Sequence, residues 1–85
     1  MSNLSNLPNI GVELEKQLAA VGITTVVELK SIGSREAWLR IYQQDPSACF
    51  MRLCALEGAI QGIRWHNLDR ETKDSLKEFY HKHKQ

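Results

Sequence analysis

The stretch from Cys49 to Ile63 constrains this chain more than any other, because its apolar residues cover far more than one side of a helix. Cys49, Leu53, Leu56, Ile60 and Ile63 recur at alternating steps of four and three, the spacing of a single helical face. Phe50, Met51 and Cys54 widen that arc, while Ala55, Gly58, Ala59 and Gly62 leave shallow surface where neighbouring helices can approach closely. A helix apolar over so much of its circumference must be covered on several sides. The expectation is therefore a central helix wrapped by the others. Asp45-Pro46 marks its start, since aspartate caps well and proline suits the first helical position.

The rest of the chain supplies four shorter helices. After a tight turn at Leu7-Pro8-Asn9-Ile10-Gly11, Leu14, Leu18 and Val21 form a stripe, and Gly22 is placed to end that helix and send Ile23 back onto the core. Thr25-Val26-Val27-Glu28 has the form of a capping box and opens a short helix with Leu29 inward, running out near Ile32-Gly33. Ser34 is expected to cap a third helix bearing Ala37, Trp38, Ile41 and Tyr42. Past a connection at Trp65-His66-Asn67-Leu68, Asp69 and Glu71 place acid at the start of a fifth, whose narrow apolar face is Leu76, Phe79 and Tyr80. No period-two alternation appears, so the fold class is all-α, a compact five-helix domain. Residues 1–6 are short and polar and read as a flexible terminus, leaving 7–85 as a single domain.

Composition narrows what such a domain can do. Apolar residues are 42% of the 85 and charged ones 25%, an ordinary globular balance. Eleven Lys plus Arg against ten Asp plus Glu give a net charge of +1, so no whole-molecule field draws the chain to nucleic acid or to an anionic membrane. Cys49 and Cys54, five apart on one helix, diverge too far to bridge and read as buried, inert packing thiols. No apolar run has membrane-spanning length and no leader precedes a cleavage site, so the expected compartment is the cytoplasm and no membrane is involved. His81 and His83, two apart, are poorly co-facial as metal ligands. No metal, cofactor, catalytic residue or small-molecule substrate is expected.

Several segments taken together carry a family resemblance. They are Leu7-Pro8-Asn9-Ile10-Gly11, Val21-Gly22-Ile23-Thr24-Thr25 with Glu28-Leu29, Glu36-Ala37-Trp38-Leu39-Arg40, Ala55-Leu56-Glu57-Gly58-Ala59-Ile60-Gln61-Gly62, and Trp65. In this order and spacing the chain resembles the C-terminal domain of TfoX/Sxy-type competence regulators from Leu7 to Phe79. The resemblance implies a helical fold similar to helix-hairpin-helix or SAM-like domains, a place in the control of natural transformation and competence genes, and no catalytic residues. Longer members of that family carry an additional N-terminal domain.

Three surfaces invite a functional reading. The Pro8-Asn9-Ile10-Gly11 turn is similar to the Pro-Gly-Ile-Gly hairpin that holds a DNA phosphate in helix-hairpin-helix proteins, but Glu13 and Glu15 put negative charge where phosphate would sit, which favours a structural role. A second hairpin at Gly33-Ser34, flanked by Lys30 and Arg35, suits phosphate better, so Lys30, Gly33, Ser34 and Arg35 are the DNA-binding candidates. On the last helix, basic residues with Arg64 and His66 are interrupted by Asp69, Glu71, Asp74 and Glu78, the pattern of a solvated face. Glu57, on the most apolar helix, needs a partner and is expected to pair with Arg40, Arg64 or backbone amides. Pro8, Gly11, Gly22, Glu57, Gly58 and Gly62 are read as structural, and both tryptophans as core. The function expected is a protein-interaction module, its partner another protein or a second copy. The alternative is a weak, sequence-indifferent DNA binder.

Overall fold

The computed structural model describes residues 4–84. The described residues form five α-helices and no strand: α1 (Val12–Ala20), α2 (Val26–Ile32), α3 (Ser34–Gln44), α4 (Phe50–Gln61) and α5 (Arg70–His83). Short 3-10 turns lie at Leu4–Asn6 and Trp65–Asn67. Leu4, in the segment expected to be a flexible terminus, is fully buried. The remainder of that expectation, residues 1–3, lies outside the described residues, as does residue 85.

Local chemistry sets the helix ends. At α2 the capping box forms as expected: the Glu28 amide donates to the Thr25 hydroxyl at 3.1 Å, and Glu28 Oε1 accepts the amides of Thr25 and Thr24 at 3.1 and 2.9 Å. Asp69 Oδ1 accepts the Thr72 amide at 2.8 Å and so opens α5. Helices α1 and α4 end alike. Gly22 and Gly62 take φ of 88° and 78°, which lets the next amide reach back five residues, Ile23 to Leu18 O and Ile63 to Gly58 O, both at 2.9 Å. Each reversal turns an isoleucine toward the core.

Two helix starts differ from expectation. Asp45-Pro46 does not open α4. The Asp45 carboxylate is spent two residues on, accepting the Ser47 amide at 3.1 Å and the Ser47 hydroxyl, and it pairs with Arg52 at 3.2 Å. An aspartate that closes a two-residue turn on itself cannot also cap a helix start three residues on. The chain therefore turns through buried Ala48, and α4 begins only at Phe50, after Cys49. At α3 the capping position belongs to Gly33, while Ser34 is the first helical residue and is only 2% exposed.

The core is shared rather than centred on one rod. Leu53, Cys54, Leu56 and Ala59 of α4 are buried, as the stripe predicts, and Ile60 and Ile63 are partly so. Yet α3 is an equal hub: it packs against α1, α2 and α4, while α4 packs chiefly against α3, α5 and the Trp65–Asn67 turn. Helix α5, at 14 residues, is longer than the 12-residue α4. Trp38 of α3 is fully buried, stacks on Tyr42 at 4.8 Å, and meets Phe79 and Tyr80 of α5 edge-on at 6.2 and 5.5 Å. Its indole N–H donates to the Cys49 carbonyl at 3.2 Å, so one side chain ties α3, α5 and the start of α4. No described helix is long and apolar enough to cross a membrane.

Candidate interaction surface

The residues singled out for phosphate contact turn out to have internal commitments. Ser34 donates its hydroxyl to Glu57 Oε1 at 2.6 Å, and the Arg35 guanidinium donates to the Ser75 hydroxyl of α5 at 2.8 Å. The Gly33 amide is used by the Leu29 carbonyl at 2.8 Å, which leaves Lys30, exposed on α2, beside the hairpin. Glu57 thus finds a partner, but not the expected arginine. Its second oxygen accepts Gln61 Nε2 at 2.6 Å, while Arg40 pairs with Glu36 on its own helix at 3.2 Å. Burying a serine hydroxyl beside the carboxylate satisfies both groups without placing a second charge in the interior.

The basic residues of α5 are similarly occupied. Lys73 donates to the His66 carbonyl at 3.0 Å, Arg70 lies 4.0 Å from Asp74, and the Lys84 ammonium sits 5.6 Å from the centre of the Tyr80 ring. His83 stacks on Phe79 at 4.2 Å, with Nδ1 3.0 Å from the Phe79 carbonyl. Among the described residues no three His, Cys, Asp or Glu side chains gather as a metal site.

The Leu7–Gly11 turn is structural in a way the sequence does not reveal. Asn9 adopts a φ of 70°, the left-handed conformation that asparagine tolerates better than most residues. Its Nδ2 donates to the carbonyls of Ile63 at 2.9 Å and Ala55 at 3.4 Å, and its Oδ1 accepts the Trp65 amide at 3.1 Å. One side chain thereby fastens the turn before α1 to the far end of α4. Gly58 lies beneath this clamp: a Cβ there would meet Asn9 Nδ2 at 2.6 Å, the Ile63 oxygen at 2.8 Å and Trp65 Cα at 3.1 Å.

Because α1 leans on α3 while Asn9 holds its preceding turn against α4, a trough opens between α1 and α4. One end is a polar recess around Pro8, Asn9, Gly11, Gly62 and Arg64. The other is an apolar groove formed by Leu14, Met51, Ala55 and Trp65, with Glu13, Gln17, Cys49 and Arg52 around it. Asn9 and Arg64 belong to both ends, which makes the two continuous. Met51 is 55% exposed, and Gln17 Oε1 is buried with no hydrogen-bond partner among the described residues. Cys49, expected to be a buried packing thiol, is exposed because α4 starts after it; Cys54 is buried, and burial pushes its thiol above the usual range against the opposing pull of Lys73.

Sequence reasoning missed Gln17 and the trough itself. It counted Met51 as part of the covered arc of α4, and it read Trp65 as core, whereas Trp65 packs only partly against the core and lines the groove. The signal for Met51 lay in the ladder: Met51 stands outside the four-three stripe that runs through Leu53 and Leu56.

Comparison with known proteins adds the following. A family model described as the TfoX C-terminal domain matches residues 1–80. Protein Sxy of Escherichia coli strain K12 is 38% identical over 76 residues, which are 89% of this chain and 36% of Sxy, so the chain spans about a third of that relative's length. Two crystal structures from Listeria monocytogenes have closely similar folds and are 57% identical in sequence. The triclinic form, of an uncharacterized protein, superposes with a TM-score of 0.93, covering 95% of this chain and 92% of the other. The tetragonal form, of a protein of unknown function, gives 0.92 with 94% and 98% covered.

Proposed function

Starting from the fact that this chain belongs to the TfoX C-terminal domain family, we propose that it is a regulatory domain in the control of competence genes that acts by docking a protein partner and catalyses nothing itself. The observation that carries this reading is the trough between α1 and α4. Met51 lies more than half exposed beside partly buried Leu14, Ala55 and Trp65, and the Gln17 acceptor is shielded from water yet unpaired. Apolar surface and an unsatisfied acceptor both cost free energy in the lone molecule, and both are relieved when a partner covers them. The near-neutral net charge agrees with a partner recognised by shape and local contacts rather than by a long-range field. The test is reconstitution. Proteins crosslinked to the chain in lysate of its host are purified and mixed with it, and a stoichiometric complex on size exclusion is the expected result. A chain that stays monomeric and forms no stoichiometric complex with any of them overturns the reading.

A second reading, weak sequence-indifferent DNA binding through Lys30, Gly33, Ser34 and Arg35, draws on the hairpin between α2 and α3 with Lys30 exposed beside it. Titration of labelled duplex at low salt tests it: binding lost in Arg35→Glu supports it, and no binding, or binding unchanged in that variant, removes it.

A further inference from the structure

We infer that the trough between α1 and α4 receives a peptide segment of a protein partner, one that offers a single carboxylate to Arg64 and apolar side chains to Leu14, Met51, Ala55 and Trp65. The inference rests on the docking function proposed above and specifies its surface and ligand.

Charge complementarity carries the argument. Arg40, Arg52 and Arg70 each face an acid, and Arg35 is held by Ser75. Arg64 has neither ion pair nor hydrogen bond among the described residues, and it stands where the polar recess meets the apolar groove. The recess also holds Gly11, the residue before α1, which caps the helix with no side chain. The first-turn amides and the positive end of the helix dipole thus add to the field of Arg64. No acidic side chain lines the recess, whereas Glu13 lines the groove beside it. This arrangement accepts one anionic group and repels a second. A phosphodiester chain brings many charges and nothing apolar to cover Met51, whose side chain is 55% exposed. A peptide carboxylate followed by apolar side chains fits both ends, and a peptide N–H can satisfy Gln17 Oε1.

Selection of random dodecapeptides displayed on phage against the purified chain tests the inference, with the recovered peptides synthesised, labelled with fluorescein and titrated by anisotropy. Recovered sequences are expected to place Asp, Glu or a free C-terminus beside apolar residues. Their Kd should rise at least about tenfold in Arg64→Glu and in Met51→Glu, a loss of about 1.4 kcal/mol, and stay unchanged in Val27→Glu on the distant α2. All three positions are exposed, and melting curves establish that each variant is folded. Peptides without that pattern, or affinities indifferent to Arg64→Glu and Met51→Glu, overturn the inference. Labelled duplex bound by the wild type and released by Arg64→Glu, with no peptide recovered, overturns it in favour of nucleic acid. If the partner reconstituted above binds the Arg64→Glu and Met51→Glu variants undiminished, docking stands and this trough is not its site.

Discussion

Asn9 combines two properties that can be separated by substitution. Its left-handed backbone is better tolerated by asparagine or glycine than by alanine, and its amide makes three hydrogen bonds to the end of α4 and to Trp65. Asn9→Gly keeps the backbone at ease and loses the bonds, for an expected cost of about 2 kcal/mol. Asn9→Ala loses both and should cost about 1 kcal/mol more, read from urea unfolding midpoints. Equal costs would mean that the backbone conformation contributes nothing. The sequence presents Asn9 only as a departure from a glycine pattern, since its partners lie 46 to 56 positions away and no local rule points to them. The two cysteines make a second residue-scale test. Cys49 is exposed, whereas Cys54 is buried with its thiol pushed up by that burial, so less of it is thiolate. Maleimide should modify Cys49 quickly in the native chain and Cys54 only when the chain unfolds. Equal native rates would place both in water.

Helix α4 shows how one element answers to local and distant demands at once. Leu56 is fully buried in its stripe, and Leu56→Ala should cost about 2 to 5 kcal/mol by urea or thermal unfolding, as truncations in a packed core do. Gly58 gives the sharper test, because helix propensity predicts a gain of about 1 kcal/mol on going to alanine. Here the added methyl would run into the Ile63 carbonyl oxygen and Trp65 Cα, which are backbone and cannot step aside alone. Gly58→Ala should therefore destabilise the fold, by at least about 1 kcal/mol, and a stabilised variant would show that the loop yields. The buried face of α4 was legible because a four-three ladder needs only its own residues to be read. Its start was not, because Asp45 could cap a helix or close a turn, and the choice fell to Ser47 and Arg52. Gly58 could be recognised as small, but what it makes room for is a loop rather than another helix.

At the scale of the whole molecule, the inventory of helices follows from local chemistry, while the partition of the core between α3 and α4 and the trough beside α1 follow from contacts far apart in sequence. That is why five helices and two glycine stops were legible and the trough was not: a groove belongs to neither of the helices that flank it. The same division bears on acid stability. Three exposed carboxylates hold chain reversals where elements join: Glu28 before α2, Asp45 before α4 and Asp69 before α5. Each lies below the usual carboxylate range, held there first by the Thr24 amide for Glu28, the Ser47 hydroxyl for Asp45 and the Thr72 hydroxyl for Asp69. A group whose pKa is lower folded than unfolded binds its proton more readily in the unfolded chain, so its contribution is complete above the ordinary value and drains away as the pH falls through the lowered one. Stability should therefore be level from neutral pH down to the ordinary carboxylate range, as far as these groups are concerned, and decline below it. The double variant Glu28→Gln, Asp69→Asn keeps hydrogen-bonding side chains at both starts but removes two of the protons from the account. Urea midpoints measured down through that range should fall less steeply for the variant than for the wild type, and the gap between the two should close once the wild-type carboxyls are protonated. Parallel curves would mean that these carboxylates are as easily protonated in the folded chain as in the unfolded one, and that the helix starts do not carry the acid sensitivity of the fold.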